Sequence, residues 1–174
     1  YFGSERHGFL PLKELTSEYF EKDNEGKRKC TLKENDEIIV QVLKEERGTK
    51  GAALSTQLSL AGRFLVLIPN STKGGGVSRR ISGEERDQVK DIIKNLPIPE
   101  GMSVIVRTAG LGRNQEELQW DLDYLLSLWK QISGNLDESE CPSLIYKDDK
   151  LILRVFRDYF KAVSYTHLTL PTRL

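Results

Sequence analysis

The chain has little of what builds metal centres and disulfide frameworks. It contains 2 cysteines and 2 histidines among 174 residues. Cys30 and Cys141 stand far apart, with no C-x-x-C spacing and no histidine beside either of them. The spacing therefore indicates neither zinc ligation nor a disulfide framework, and we interpret both thiols as reduced and inert.

Long apolar runs and an excess of one charge are also missing. No stretch approaches the roughly 20 apolar residues that span a membrane, and no signal peptide is recognisable. The 26 basic and 26 acidic residues cancel, and the mean hydropathy is −0.45. A neutral chain does not bind polyanions indiscriminately, although a local basic patch can still bind one. The composition is typical of a soluble globular chain with one domain or two small ones.

The first 60 residues predict short strands joined by turns. Strands are predicted over 37–43 and 52–60, with a glycine-containing turn between them. The stretch 18–33 is charged and poor in apolar residues, so it predicts a surface loop. Short β elements linked by glycine turns favour a small barrel of the OB type.

From residue 61 the pattern changes to mixed α and β. Strands are predicted over 63–68 and 102–107, and a final hairpin over 143–155. Ser82 to Glu85 predicts a capping box that begins a helix ending near Leu96, because Pro97 follows.

A second helix is predicted where Asn114 is followed three residues later by Glu117. Several apolar side chains then recur at helical spacing and are predicted to face the core: Leu118, Leu122, Leu125, Leu126 and Trp129. We find no cofactor role for Trp120 or Trp129.

The most distinctive chemistry lies between residues 59 and 108. The predicted strand 63–68 is followed by a glycine run at 74–76 and by Arg79-Arg80, and the next strand ends in Arg107-Thr108. Planar guanidinium groups match phosphate oxygens better than an ammonium does, and glycines let backbone approach a ligand closely. The pattern predicts a pocket for one terminal phosphate. It is not a P-loop, because the G-x-x-x-x-G-K-[ST] order is absent.

Acidic pairs elsewhere do not indicate catalysis. Glu45-Glu46 lies in a predicted turn and Asp121 and Asp123 on a predicted helix, with no cleft to perturb their ionisation. We interpret them as solvated or structural charges. A phosphatase or kinase is disfavoured, because no nucleophile or metal cluster is recognisable.

Seven segments, in order along the chain, resemble the bacterial ribonuclease E family within the wider ribonuclease E/G family. They are ERHGFLPLKE at 5–14, KEERGTKGAALS at 44–55, SLAGRFLVLIPN at 59–70, GGVSRRI at 75–81, EGMSVIVRTAG at 100–110, LQWDL at 118–122 and VFRDY at 155–159. The first is more similar to ribonuclease E than to its sibling ribonuclease G. Many ordered matches over nearly all of residues 1–162 are far more specific than one glycine motif.

The resemblance implies an α+β fold. Residues 1–60 would form a truncated, partial OB-fold β-barrel of the S1 type, whose first strands and a second stacking aromatic precede Tyr1. Residues 61–157 would form a mixed α/β sensor region for the RNA 5′ end, and residues 158–162 would begin the return into the RNase H-like scaffold.

The terminal segment is interpreted separately. Its residues 163–172, VSYTHLTLPT, match the translation of a transposase sequencing adapter over ten consecutive positions. We therefore interpret 163–174 as a sequencing-adapter artefact and exclude it from fold prediction. The alternative is a genuine polar tail.

The resemblance also assigns binding residues. Phe9 matches an aromatic that stacks on an RNA base, and Lys50 matches a lysine on the RNA-facing surface. Taken alone, Phe9 is better interpreted as a barrel-core residue and Lys50 as a solvated turn lysine. Four residues match the family's 5′-monophosphate pocket: Gly62, Val66, Arg107 and Thr108. Arg79 and Arg80 are expected to make auxiliary phosphate or RNA contacts.

By the same resemblance, the chain is a fragment of an endoribonuclease that cleaves single-stranded RNA in RNA processing and mRNA decay and prefers a 5′-monophosphate. The family's Mg²⁺-binding catalytic carboxylates and its Zn²⁺-binding cysteine pair have no counterpart before Ala162. The fragment is thus expected to bind no metal and to be inactive alone. The alternative is a non-catalytic S1-type RNA-binding or regulatory protein.

The resemblance further implies partners and a compartment. The full-length protein is expected to be a bacterial, cytoplasmic homotetramer that scaffolds a degradosome and can sit peripherally at the inner membrane. Single-stranded RNA, not DNA, is the expected ligand.

Overall fold

The computed structural model describes residues 1–22, 27–71, 76–136 and 141–148. Within these ranges the chain forms eight β-strands and two α-helices. The α+β class predicted from the sequence is confirmed.

The N-terminal part forms two small antiparallel sheets. In the first, β1 (Phe20–Lys22) pairs with β2 (Arg28–Cys30); in the second, β3 (Gln41–Lys44) pairs with β4 (Ala53–Ser55). Phe9 adds a parallel bridge to Ala53 of β4. In the described part of residues 1–60 these pairings do not close a barrel, so the S1-type OB fold stays a prediction.

These strands differ in detail from the predicted ones. The β1–β2 hairpin falls in the stretch predicted to be a loop; it lies on the surface as expected, but its polar residues carry no alternating signal. The strand predicted over 37–43 begins only at Gln41. The strand predicted over 52–60 divides after Ser55, because the buried Thr56 turns toward Glu14, donating its backbone N–H to the Glu14 carbonyl at 3.1 Å.

The central element is a four-stranded sheet. It contains β5 (Leu60–Ala61), β6 (Leu65–Ile68), β7 (Gly76–Val77) and β8 (Ser103–Val106) in the order β5-β6-β8-β7. β6 runs antiparallel to β5 and β8, whereas β7 runs parallel to β8. The strands predicted over 63–68 and 102–107 are confirmed with slightly shorter bounds.

Two helices pack on this sheet. α1 (Glu84–Lys94) contacts β7, and the longer α2 (Gln115–Leu136) contacts β5 and β6. The predicted stripe is confirmed: three leucines of α2 are fully buried, and Leu126 and Trp129 pack against the same core. These α2 side chains share one core cluster with the inward-facing side chains of β6 and β8. α2 is therefore packed against β6, the strand that adjoins the candidate site.

The two predicted capping boxes have different outcomes. At α2 the Glu117 N–H donates to Asn114 Oδ1 at 2.8 Å, and the Asn114 N–H donates to Glu117 Oε2 at 3.3 Å, which is the reciprocal pair expected. At α1 the predicted box is wrong. Its N-cap is Gly83, with φ of 68° and no side-chain cap bond, because the left-handed glycine begins the helix one residue after Ser82.

This difference predicts unequal effects of two alanine substitutions. Asn114→Ala should lower the free energy of unfolding by about 1 kcal/mol, because the α2 N-terminus loses its side-chain acceptor. Ser82→Ala is the matched control and should change it by less than about 0.5 kcal/mol. Urea denaturation measures both. Equal losses would show that Ser82 caps α1 after all.

The C-terminal part is only partly described. Residues 143–146, predicted as the first half of a hairpin, form no strand, although Ile145 packs against the core. The second half of that hairpin, the segment 158–162 and the terminal segment 163–174 lie outside the described residues. Across the described ranges, neither helix is long and apolar enough to cross a membrane.

Candidate anion-binding site at one edge of the sheet

Strand direction brings three loops to one edge of the four-stranded sheet. β7 and β8 are parallel, with Val77 opposite Val106, so their C-terminal ends lie side by side. β6 is antiparallel to β8, with Leu65 opposite Val106, so its N-terminal end lies at the same edge. We call the combined surface of residues 62–64, 78–80 and 107–108 the arginine edge.

Backbone hydrogen bonds join the three loops. The Ser78 N–H donates to the Val106 carbonyl at 3.0 Å, and the Arg107 N–H donates to the Phe64 carbonyl at 2.8 Å. The sheet ladder thus continues past the strand ends. The residues predicted to bind phosphate are therefore held on a rigid scaffold, although they are far apart in sequence.

The turn before β6 is built around a buried carboxylate. Asp121 of α2 accepts the backbone N–H of Arg63 at 2.9 Å on Oδ1, and those of Phe64 and Leu65 at 2.8 Å each on Oδ2. A Cβ atom at Gly62 would lie only 2.5 Å from Asp121 Oδ2. Glycine is thus required at residue 62 because the Asp121 carboxylate occupies the space of a side chain.

Arg107 holds the other side of that turn. Its Nη1 donates to the Gly62 carbonyl and, at 3.3 Å, to the Arg63 carbonyl. The Arg107 side chain is half-buried, and the next residue, Thr108, is exposed at the start of a 3₁₀ turn (Thr108–Gly110). Val66 is half-buried on β6, one residue beyond Leu65.

Arg79 and Arg80 lie exposed in the turn that follows β7. The turn is closed by the Ile81 N–H, which donates to the Ser78 carbonyl at 3.0 Å. Arg86 of α1 stabilises this turn, because its Nη1 donates to the carbonyls of Ser78 at 3.2 Å and Ile81 at 3.1 Å. The structure therefore uses Arg86 to fix the turn that presents two exposed guanidinium groups.

Two further arginines flank a buried ring at the same edge. The guanidinium carbons of Arg63 and Arg113 lie 5.0 and 5.2 Å from the centroid of Phe64. Arg113 also pairs with Glu117 at 3.3 Å. The arginines of the edge, together with Arg113, outnumber the two carboxylates Glu117 and Asp121, so the edge presents an excess of positive charge on a chain of zero net charge.

Sequence reasoning missed four residues of this site: Arg63, Arg86, Arg113 and Asp121. Asp121 left a usable signal, because it lies three residues after Leu118 and four before Leu125, on the buried stripe of α2. A lone carboxylate among buried leucines requires internal partners. The interpretation of Asp121 as structural agrees with its contacts, whereas Asp123, Glu45 and Glu46 are exposed.

Phe9 and Lys50 belong to the β3–β4 sheet and not to the arginine edge. The Phe9 backbone is fixed, since its N–H donates to the Ala52 carbonyl at 2.7 Å and its carbonyl accepts the Leu54 N–H at 2.9 Å. Its side chain is nevertheless 68% exposed, so the barrel-core alternative is wrong. Lys50 is exposed in a turn closed by two backbone bonds with Arg47.

Neither metal nor thiol chemistry is indicated by the described side chains. Within the described ranges, no three His, Cys, Asp or Glu residues come together in a group that could hold a metal ion. Cys30 and Cys141 are free thiols. A hydrogen bond to Glu37 raises the pKa of the Cys141 thiol, which keeps it protonated and weakly nucleophilic.

Fold and site together define an α+β protein with an arginine-rich edge suited to an anionic ligand. Residues 59–168 match the sequence model of the Ribonuclease E/G family, so the chain belongs to that family. It is 49% identical over 164 residues to proteins named Ribonuclease E from Escherichia coli (strain K12) and from Haemophilus influenzae. It is 38% identical over 129 residues to the Ribonuclease G of Haemophilus influenzae. The resemblance to ribonuclease E noted from the motifs is confirmed.

The match covers unequal shares of the proteins compared. It takes in 92% of this chain but only 16% of the Escherichia coli protein and 18% of the Haemophilus influenzae ribonuclease E. The chain spans 26% of the ribonuclease G from the latter organism. It therefore corresponds to a small part of these relatives.

Proposed function

We propose that this chain is the RNA-recognition part of an endoribonuclease that acts on single-stranded RNA in RNA processing and mRNA decay. Residues 61–157 of the chain sense a 5′-monophosphate at the arginine edge, and residues 1–60 act as an S1-type RNA-binding unit. The observation that carries the proposal is the convergence of Arg79, Arg80, Arg107 and Thr108 at one sheet edge.

The chemistry of the arginine edge suits a terminal phosphate. A phosphomonoester carries a charge of about −1.5 to −2 at pH 7, whereas each internal phosphodiester carries one negative charge. Arg107 supplies a planar donor group and Thr108 a hydroxyl and an amide beside it. Gly62, in the turn before β6, and Val66, on β6, border the space for the first nucleotide. Arg79 and Arg80 add positive potential on the other side.

The β3–β4 sheet supplies the second contact. An exposed aromatic on a fixed backbone offers a stacking platform for any base, and such stacking contributes about 1–3 kcal/mol per base. Phe9 has this environment, and Lys50 lies in the turn leading into β4. Stacking does not depend on the 5′ group, so this surface binds the body of the RNA.

Catalysis and assembly are assigned to other parts of a longer protein. The family's Mg²⁺ and Zn²⁺ find no fitting ligand set among the described residues, so no step of the proposal passes through either ion. Homotetramer formation, degradosome scaffolding and a cytoplasmic position, peripheral to the inner membrane, belong to the same proposal for the full-length protein.

Binding to two RNAs tests the proposal. We expect the chain to bind a single-stranded RNA of about 12 nucleotides more tightly with a 5′-monophosphate than with a 5′-hydroxyl, by about tenfold, since hydrogen bonds to charged groups contribute about 1.5–3 kcal/mol. Fluorescence anisotropy measures both affinities. Gel electrophoresis in the presence of Mg²⁺ should show both RNAs intact.

A single-stranded DNA of the same sequence is the control and should bind more weakly. Equal affinity for the two RNAs would contradict 5′ sensing. Specific cuts that persist through purification would contradict the expectation that the chain is inactive alone.

A further inference from the structure

The Asp121 carboxylate fills an anion-binding position made by the chain's own backbone. Three successive amides, those of Arg63, Phe64 and Leu65, point at its two oxygens over 2.8–2.9 Å. Successive N–H groups in a turn form a concavity of the kind that binds phosphate in other proteins. Here the side chain is 9% exposed and already occupies that concavity.

Occupation of these amides decides how an external phosphate binds at the arginine edge. The backbone N–H groups of residues 63–65 already donate to Asp121, so they do not bind the phosphate. From the sequence alone, the glycine at 62 favours phosphate binding by these amides. The phosphate must instead be bound from the Arg107–Thr108 side.

The same turn connects Asp121 to Arg107. The peptide groups of residues 62–65 direct N–H groups at the Asp121 carboxylate, and the Gly62 and Arg63 carbonyls accept from Arg107 Nη1. The turn therefore lies between a carboxylate and a guanidinium group, and each one orients the peptides that the other contacts. The turn and the Asp121 carboxylate are in close contact, because a Cβ at Gly62 would collide with Asp121.

We infer that Asp121 is a positioning residue for phosphate sensing: by holding the 62–65 turn through three amides, it fixes the carbonyls that orient the Arg107 guanidinium. This inference rests on the proposed function. Asp121 contacts no ligand itself and acts through the turn and Arg107.

The variant Asp121→Asn tests this with little change of shape. The asparagine side chain has one acceptor oxygen and one NH₂ group, so an amide of the turn faces a donor and loses its partner. We expect the preference for 5′-monophosphate over 5′-hydroxyl RNA to fall by about tenfold, with 5′-hydroxyl affinity unchanged, since the loss falls on bonds to a charged group. Hydrogen exchange should accelerate selectively at residues 63–65.

Asp123→Asn is the matched control. It makes the same chemical change on the same helix, but Asp123 is exposed and accepts a hydrogen bond from the side chain of Gln119, at 2.7 Å, and not from the 62–65 turn. The preference for 5′-monophosphate RNA and the rate of hydrogen exchange at residues 63–65 should both stay at the wild-type level. If Asp121→Asn does not fold, Asp121→Glu is the second variant, because it keeps the charge and displaces the carboxylate by one methylene. The same fall in preference and the same faster exchange at residues 63–65 are expected.

The outcomes separate this inference from the proposed function. If the wild-type chain shows no 5′-monophosphate preference, the proposed function fails first. If the wild type has the preference, a folded Asp121 variant that retains it despite faster exchange at 63–65 overturns the inference. A variant that loses the preference with unchanged exchange overturns it too, because Asp121 would then act by another route.

Discussion

Replacing Arg107 with alanine is expected to remove the preference for 5′-monophosphorylated RNA and to leave the affinity for 5′-hydroxyl RNA nearly unchanged. The guanidinium meets a group that only the first RNA carries, and each hydrogen bond to a charged group contributes about 1.5–3 kcal/mol. Affinity for the monophosphorylated RNA should fall by about tenfold, to the level of the 5′-hydroxyl RNA. In a full-length ribonuclease carrying this segment, the ratio of kcat/KM for the two substrates measures the same effect.

Two further variants separate the phosphate contact from support of the turn. Arg107→Lys keeps the charge but loses the planar pair of donors, so it should retain only part of the preference. Thr108→Val removes an exposed hydroxyl and leaves the Arg107 contacts with Gly62 and Arg63 in place. A wild-type preference in Arg107→Ala would refute the assignment of sensing to the arginine edge.

Replacing Phe9 with alanine should weaken both RNAs alike. A base stacked on the ring contributes about 1–3 kcal/mol, so both affinities should fall by about 5- to 150-fold and their ratio should not change. The ring is largely exposed and only the Phe9 backbone is bonded to β4. The melting temperature should therefore change little, and anisotropy with the same two RNAs measures the effect.

Phe9→Tyr and Leu12→Ala are the controls for this result. The tyrosine keeps an aromatic face and should bind RNA as the wild type does. Leu12 is 66% exposed, close to the 68% of Phe9, so its truncation removes a similarly exposed apolar side chain without an aromatic face. If Leu12→Ala weakens binding as much as Phe9→Ala, general apolar contact and not stacking is responsible. A change in the ratio for Phe9→Ala would link this surface to the 5′ group.

The sequence predicted the parts of the fold whose signals are local. The α2 stripe and its Asn114–Glu117 cap follow from helical spacing and capping chemistry, and both are confirmed. The strands around 65–68 and 103–106 are short apolar runs bounded by turn residues, and they also lie close to their predicted places. Where the local signal was weak, the prediction was wrong. β1 and β2 are polar strands without alternating apolar residues, so their stretch was predicted to be a loop. α1 has Gly83 as its N-cap and not Ser82.

The sequence by itself determined the family, the α+β class and the residue types of the candidate site, because these depend on ordered motifs and local periodicity. Only the tertiary structure decided which of them meet. Parallel pairing of β7 with β8 places Arg79 and Arg107 at one edge, and a buried carboxylate from α2 claims the amides of the 62–65 turn. Asp121 and the amides that it accepts are 56 to 58 positions apart in the chain. They become neighbours only when the sheet forms and the helix packs on it, because a buried carboxylate requires hydrogen-bond partners.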